Sequence, residues 1–179
     1  HRLHGAPAYL SGRSINGKRH YNMPAELVGE RVPYANEPAT VEGRRGEHVR
    51  VLVEGQADAI ALGQLGIPAT ALCGLGGGAV TEVTHVGLDN DEPGQAKALE
   101  TALGIDPLVK IVVWPETIKA SPGHNHVRVK DAADLVKGQM SAEEIGALLD
   151  GAESALMALA RRAGGAKGDE RKRLLDQFF

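Results

Sequence analysis

Aromatic residues and cysteine are scarce in this chain of 179 residues. Phe, Trp and Tyr together make up 3% of it, so the core has to be built from Val, Leu, Ile and Ala. A nucleic-acid site that stacks bases on aromatic rings is therefore disfavoured. The single cysteine, Cys73, excludes an internal disulfide and a cysteine-based zinc ribbon, and it suits a reducing cytoplasm.

A charge excess and a long apolar run are also missing. The net charge of -3 gives no global attraction to nucleic acid or membrane, so any polyanion site needs a local basic patch. No apolar stretch approaches the ~20 residues that span a bilayer, and there is no secretory signal. We therefore expect a cytoplasmic protein without a membrane partner. Because the chain begins with His1 rather than methionine, we also expect a piece of something longer.

Strand and helix patterns alternate from residue 49 onward. The β-branched, continuous run at 49–53 is of the kind found in strands covered on both faces. Further strands are predicted at 68–73, 83–89 and 108–114. Helical patterns stand at 57–65, 93–104, 130–136, 141–149 and 152–179, the last broken by "GGAKG". Repeated β–α–β units predict an α/β fold with a mostly parallel four-stranded sheet flanked by helices.

One connection does not fit this pattern. Only about nine residues, among them the glycine-rich "GLGGG" at 74–78, separate the second and third predicted strands. A crossover between parallel neighbours usually needs a dozen or more residues. We expect either a tight loop there or different strand limits.

The first 48 residues are polar and rich in Gly, Pro and Arg, and we expect a small α+β segment. Short strands are predicted at 8–10 and 20–21, joined by a turn at Asn16-Gly17, and an exposed loop at 37–47. The predicted division of the chain is therefore 1–48, 49–137 as the catalytic domain, and 138–179 as a helical extension or linker.

Acidic residues follow two of the predicted strands. Glu54 ends the first strand, and Asp89 and Asp91 end the third. In open parallel sheets ligands bind beyond the carboxyl ends of the strands, and an extended backbone points residues two apart to one face. If the two strands are neighbours, the three carboxylates converge. Asp58 and Asp131 are placed to reach the same point.

Clustered carboxylates repel one another unless a cation lies between them, and oxygen ligands of this kind suit Mg²⁺ or Mn²⁺. Gly55 and Gly94 remove side chains where a substrate would approach the metal. The plainer interpretation, that strand-end acids cap helices, is the better one for any single acid. For Glu54, Asp89 and Asp91 together the spacing favours a metal site.

The residues resemble a known family. A strand ending in Glu-Gly with an acid four residues on ("VEGQADAIAL"), a later strand ending in Asp-x-Asp ("LDNDEPGQAKA") and a third acidic segment ("KDAADL") are similar to the Toprim domain of phage and bacterial-type DNA primases. The resemblance covers about 49–137. The preceding "SGRSINGKRHYNMP" resembles the basic segment before Toprim in primase catalytic cores.

The resemblance implies a metal-dependent nucleotidyl transfer that makes RNA primers on single-stranded DNA from nucleoside triphosphates. Glu54 would be the catalytic carboxylate, and Asp89 and Asp91 would hold Mg²⁺ or Mn²⁺, supplemented by Asp58 and Asp131. A zinc-ribbon module and a replicative helicase would lie outside this chain. Basic residues would contact template or nucleotide phosphates: Arg13, Lys18, Arg19, Arg128 and Lys130.

The match has departures and alternatives. Primases often carry Asp-x-Asp in the third segment, whereas here Asp131 is followed by Asp134, which puts one metal ligand in doubt. A Toprim nuclease or topoisomerase-like strand cleaver stays open, as does a non-catalytic nucleic-acid-binding Toprim module. His124 and His126 have a chelating spacing but no third ligand near in sequence, so a solvated loop is the better interpretation.

Overall fold

The computed structural model describes residues 49–73, 80, 82–119 and 126–176, and within residues 1–48 only the backbone of short strands. The chain divides into two compact units, His1–Val32 and Pro33–Phe179. No described helix is both long enough and apolar enough to cross a membrane.

The described part of the first unit consists of two antiparallel strand pairs. They are β1 (Arg2–Leu3) with β2 (Ala6–Pro7), and β3 (Ser11–Arg13) with β4 (His20–Asn22). The second pair confirms the predicted strand at 20–21, whose partner is the strand at 11–13. The predicted strand at 8–10 lies outside the described residues. The predicted turn at Asn16-Gly17 and the loop at 37–47 lie outside the described residues.

The second unit is built on one sheet in the order β12-β9-β8-β6-β7-β5. Its strands are β5 (Tyr34–Ala35), β6 (Val51–Val53), β7 (Ala69–Ala71), β8 (His85–Val86), β9 (Lys110–Ile111) and β12 (Glu153–Ser154). The four inner strands run parallel, which confirms the mostly parallel sheet. The predicted strand number is wrong, because β5 and β12 add antiparallel edges that make the sheet 6-stranded. The strands β10 (Thr117–Ile118) and β11 (Val127–Arg128) form a separate antiparallel pair.

Helices cover both faces of the sheet. They are α1 (Gln56–Gln64), α2 (Glu92–Ile105), α3 (Ala132–Lys137), α4 (Ala142–Asp150), α5 (Ala155–Gly165) and α6 (Gly168–Asp176). Residues typical of helix ends mark their limits: Gly66 follows α1 with a positive φ of 73°, and Pro93 lies in the first turn of α2. Ser141 and Glu144 form the capping box of α4.

Alternating residues of the buried strand β6 face two separate cores. Val51 and Val53 pack with residues of α1, α3 and α4, whereas Leu52 packs with residues of α2 and α5. All three are fully buried, as a continuous apolar run predicts for a strand covered on both sides. The result is a helix–sheet–helix sandwich with β6 at its centre.

The short connection is explained by the strand order. β7 and β8 lie on opposite sides of β6 and are not neighbours. Both are also shorter than the strands predicted at 68–73 and 83–89, so the connection between them is longer than the predicted nine residues. The strand limits, rather than the fold, caused the misfit. The three-part division of the chain stays a prediction; in the packing, Pro33–Phe179 forms one compact unit.

Candidate functional site: an acidic depression at the carboxyl ends of β6 and β8

Three of the predicted acids line one open depression. Glu54 follows β6 directly, and Asp89 comes three residues after β8, its parallel neighbour. Together with Asp91 they border a cavity of about 200 Å³, whose other wall is the start of α2. Its lining residues are Glu54, Asp89, Asp91, Pro93, Gly94 and Lys97. The neighbouring strands thus bring these carboxylates to the same edge of the sheet.

Lysines neutralise two of the three carboxylates. Lys97 Nζ lies 3.4 Å from Glu54 Oε1, and the two side chains are 44% and 43% exposed. Lys130 Nζ lies 2.8 Å from Asp89 Oδ2. The hydrogen bond to Asp89 and the charge of that carboxylate raise the pKa of Lys130 above its ordinary value. Sequence reasoning missed Lys97, although it follows Gly94 by three residues and so shares its helix face.

Asp91 and Asp131 are helix N-caps. Asp91 Oδ1 accepts a hydrogen bond from the N–H of Gly94 at 2.8 Å, at the start of α2. Asp131 Oδ1 accepts one from the N–H of Asp134 at 3.0 Å, at the start of α3. A capping oxygen satisfies an amide that has no partner within the helix. Asp91 therefore caps a helix and lines the depression, whereas Asp131 caps a helix outside its lining.

Asp58 is a buried link between two segments. It is 7% exposed, and its oxygens accept from the N–H of Gly55 at 3.2 Å and of Ala133 at 3.0 Å. The residue thus joins the turn after Glu54 to the start of α3. It was predicted as a supplementary metal ligand, but it does not line the depression, and both oxygens are engaged by backbone amides.

Burial and the charge of Asp131 raise the pKa of Asp58 to about 6, against the opposing hydrogen bonds from Ala133 and Gly55. From about pH 4 to about pH 6 the unfolded chain releases this proton while the folded chain keeps it. The free energy of unfolding should therefore fall as pH rises through that window and level off above it. This direction is opposite to that of a carboxylate with a lowered pKa.

Asp58→Asn is expected to remove this pH dependence, since asparagine does not ionise. Between about pH 4 and about pH 7, wild type should lose roughly 2–3 kcal/mol of unfolding free energy relative to the variant. Urea unfolding at a series of pH values in EDTA measures the difference. Parallel curves for the two proteins would contradict a raised pKa at Asp58.

Asn90, between the two aspartates, ties their loop to neighbouring segments. Its side-chain amide donates to the carbonyl oxygens of Trp114 at 3.0 Å and Val129 at 3.5 Å. Its backbone N–H donates to the carbonyl oxygen of Lys130 at 2.6 Å. This residue was missed because the middle position of Asp-x-Asp carries no chemical requirement. The sequence did contain a signal for this role. In an extended backbone the side chain between two aspartates points away from them, and an amide side chain at that position needs hydrogen-bond partners on the other side.

The two glycines predicted to allow a close approach have internal reasons for being glycine. A Cβ on Gly94 would lie 2.2 Å from the carbonyl oxygen of Asp89, so α2 can begin against that residue only without a side chain. A Cβ on Gly55 would lie 3.1 Å from Asp58 Oδ2. Gly87, not singled out from sequence, faces the ring of buried Trp114, which a Cβ would meet at 2.3 Å.

The predicted basic residues are placed differently. In the segment after β10, Arg128 and Lys130 are exposed on either side of buried Val129, as their alternation predicts. Of these two, only Lys130 has a described ion pair with an acid of the depression. Arg13 belongs to β3 in the first unit. Lys18, Arg19, His124 and the glycines at 74–78 lie outside the described residues.

The carboxylate oxygens that line the depression suit a hard divalent cation, although they do not already surround a common point. Within the described ranges no three His, Cys, Asp or Glu side chains converge closely enough to hold a metal ion as they stand. Mg²⁺ needs only one or two carboxylates when water and phosphates supply its other ligands. Asp89 and Asp91, with Glu54 opposite, meet that requirement once the paired lysines move.

Solved structures share this fold. A structure of the Aquifex aeolicus primase, comprising its zinc-binding and RNA polymerase domains, superposes with a TM-score of 0.62 at 19% identity, over 97% of this chain and 48% of that one. A DNA primase domain from Pseudomonas aeruginosa gives 0.59 at 19% identity, over 89% and 51%. The RNA polymerase domain of Mycobacterium tuberculosis primase DnaG gives 0.55 at 18% identity, over 97% and 60%.

The chain has the fold of bacterial DNA primase domains. It spans about half the length of the first two of these chains. No protein-family model matches the sequence, and no curated protein matches it. The likeness to primase domains therefore rests on the three-dimensional structure, at 18–19% sequence identity.

Proposed function

We propose that this chain is the catalytic core of a DNA primase, with residues 49–137 as its Toprim domain. It would carry out metal-dependent nucleotidyl transfer to make RNA primers on single-stranded DNA. The observation that carries the proposal is the acidic depression of Glu54, Asp89 and Asp91 at the carboxyl ends of β6 and β8, in a chain with the fold of primase domains. In parallel sheets this is the edge where ligands bind.

Asp89 and Asp91 are the residues that would hold Mg²⁺ or Mn²⁺. When bound, the metal supplies charge neutralisation for phosphate oxygens and lowers the pKa of an attacking hydroxyl. Glu54, on the facing strand end, is placed to accept a proton or to orient a ligand. Asp58 and Asp131 would act indirectly, because Asp58 holds the turn after Glu54 against the helix that Asp131 caps.

The nucleic acid and partner proteins follow from the same proposal. Template and nucleotide phosphates would meet Arg13, Lys18, Arg19, Arg128 and Lys130. The chain has no cysteine-rich ribbon and no P-loop in its sequence, so a zinc-ribbon module and a replicative helicase would be supplied by other polypeptide segments. Nucleoside triphosphates are the proposed small-molecule substrates.

The direct test is incorporation of labelled ribonucleotides on a pre-annealed primer–template with Mg²⁺ or Mn²⁺. Supplying the primer removes dependence on a template-reading module. Extension by wild type that requires metal and is lost in Asp89→Ala/Asp91→Ala would support a polymerising core. Metal-dependent cutting of the DNA without extension would instead identify a Toprim nuclease, and binding without either reaction would identify a non-catalytic module.

A further inference from the structure

Two ammonium groups lie where a cation would bind to the carboxylates of the depression. Lys97, on the inner face of α2, pairs with Glu54 at 3.4 Å. Lys130, which follows β11, pairs with Asp89 at 2.8 Å. The two lysines come from different segments of the chain and hold acids on two neighbouring strands. The protein therefore carries its own counter-ions at this site.

A divalent cation and these ammonium groups compete for the same oxygens. An ammonium close to a dication is repelled by it, so a metal ion that binds Glu54 or Asp89 must push the lysine away. The opposing attraction is small, because an ion pair formed by an exposed lysine contributes little. Lys97 and Lys130 are 44% and 63% exposed, and their long stems let the charge swing aside while staying near the site.

We propose that Lys97 and Lys130 are resident counter-ions that a divalent metal displaces, and that the displaced ammonium groups then bind phosphate oxygens of the metal-bound nucleotide. This inference rests on the proposed metal site. Lysine is suited to the second role because it is a flexible point charge with several donors. The same two side chains would thus oppose binding of the metal and favour binding of the triphosphate.

The proposal is testable with Lys97→Gln/Lys130→Gln, because removal of the two charges should strengthen binding of the metal and weaken binding of the triphosphate. At low ionic strength the double variant is expected to bind Mn²⁺ about threefold or more tightly than wild type, measured by electron paramagnetic resonance. The matched control is Lys137→Gln. Lys137 also pairs with a carboxylate at 2.8 Å, but its partner, Asp134, does not line the depression. The control should bind Mn²⁺ as wild type does.

The second measurement is calorimetric binding of the Mg²⁺ complex of inorganic tripolyphosphate, with a single-stranded oligonucleotide titrated separately. The double variant should bind tripolyphosphate about tenfold more weakly, since it loses two charged donors. Lys97→Arg/Lys130→Arg should stay close to wild type in both measurements. Weaker binding confined to the oligonucleotide would assign the lysines to template phosphates and overturn the nucleotide role.

The outcomes separate this inference from the proposed function. Unchanged or weaker Mn²⁺ binding by the double variant, with Mn²⁺ still bound by wild type, would overturn counter-ion displacement and leave the metal site standing. Absence of Mn²⁺ binding by wild type and all variants would overturn the metal site and, with it, both proposals. A purely structural role for the lysines does not predict tighter metal binding in their absence.

Discussion

Asp89→Asn is expected to lower metal-dependent primer extension by about 100-fold or more. Asparagine keeps the size of the side chain but removes the negative charge, and stabilisation of charge at a reacting phosphate is usually the largest catalytic contribution. The affinity for Mn²⁺ should fall by about tenfold or more, because ligand charge sets the strength of such sites. Extension assays and electron paramagnetic resonance measure the two effects.

The fold should survive this substitution. The pair of Asp89 with Lys130 involves a lysine that is 63% exposed, and its loss should cost at most about 1 kcal/mol of unfolding free energy. Asp150→Asn is the matched control. Asp150 lies near the end of β8 that is opposite the depression. The carbonyl oxygen of the preceding residue, Leu149, forms a hydrogen bond with His85, which begins β8. Activity of Asp89→Asn within a few-fold of wild type would rule out Asp89 as a metal ligand.

Gly94→Ala is expected to destabilise the protein by about 2 kcal/mol or more, because overpacking against fixed atoms forces the backbone to move. The new Cβ would lie 2.2 Å from the carbonyl oxygen of Asp89 and 2.9 Å from its carbonyl carbon. These are backbone atoms, so no rotamer change can relieve the clash. Either α2 must shift or Asp89 must leave the depression.

A second glycine of the same helix supplies the control. A Cβ on Gly104 would meet nothing within 4 Å, so Gly104→Ala should stabilise the chain by about 0.5–1 kcal/mol through helix propensity. Urea unfolding followed by fluorescence of Trp114, which is buried and the only tryptophan in the sequence, measures both variants. Equal stability of the two alanine variants would contradict the close approach of α2 to Asp89.

The central strands and helices were predictable because each carries a sufficient local signal. An apolar run such as 49–53, or a cap such as Ser141 with Glu144, specifies its element within a few residues. The edge strands β5 and β12 are two residues long, which is too short to show an alternation of apolar and polar residues in the sequence. Their pairing depends on the exposed edges of β7 and β9, which lie far away in the chain.

The acids of the depression could be predicted from the sequence. Which predicted acids line it and which form structural hydrogen bonds could not be predicted. Strand-end positions identify Glu54 and Asp89 once the strands are known. Asp58 looks like another ligand in the sequence, and its role depends on the N–H of Ala133, 75 positions further on. Lys97 is equally hidden, since a lysine on a helix usually faces water. Whether it meets Glu54 is decided by how α2 packs on the sheet.

The short strand β12 bears on how fragments of this protein should be made. It pairs with β9, and α5 follows it at once, burying Ala155, Ala158 and Leu159 in the second core. A fragment that stops at residue 137 would leave β9 as a bare strand edge above an uncovered apolar face. Such edges recruit other chains, so that fragment should aggregate even though it contains every acid of the depression.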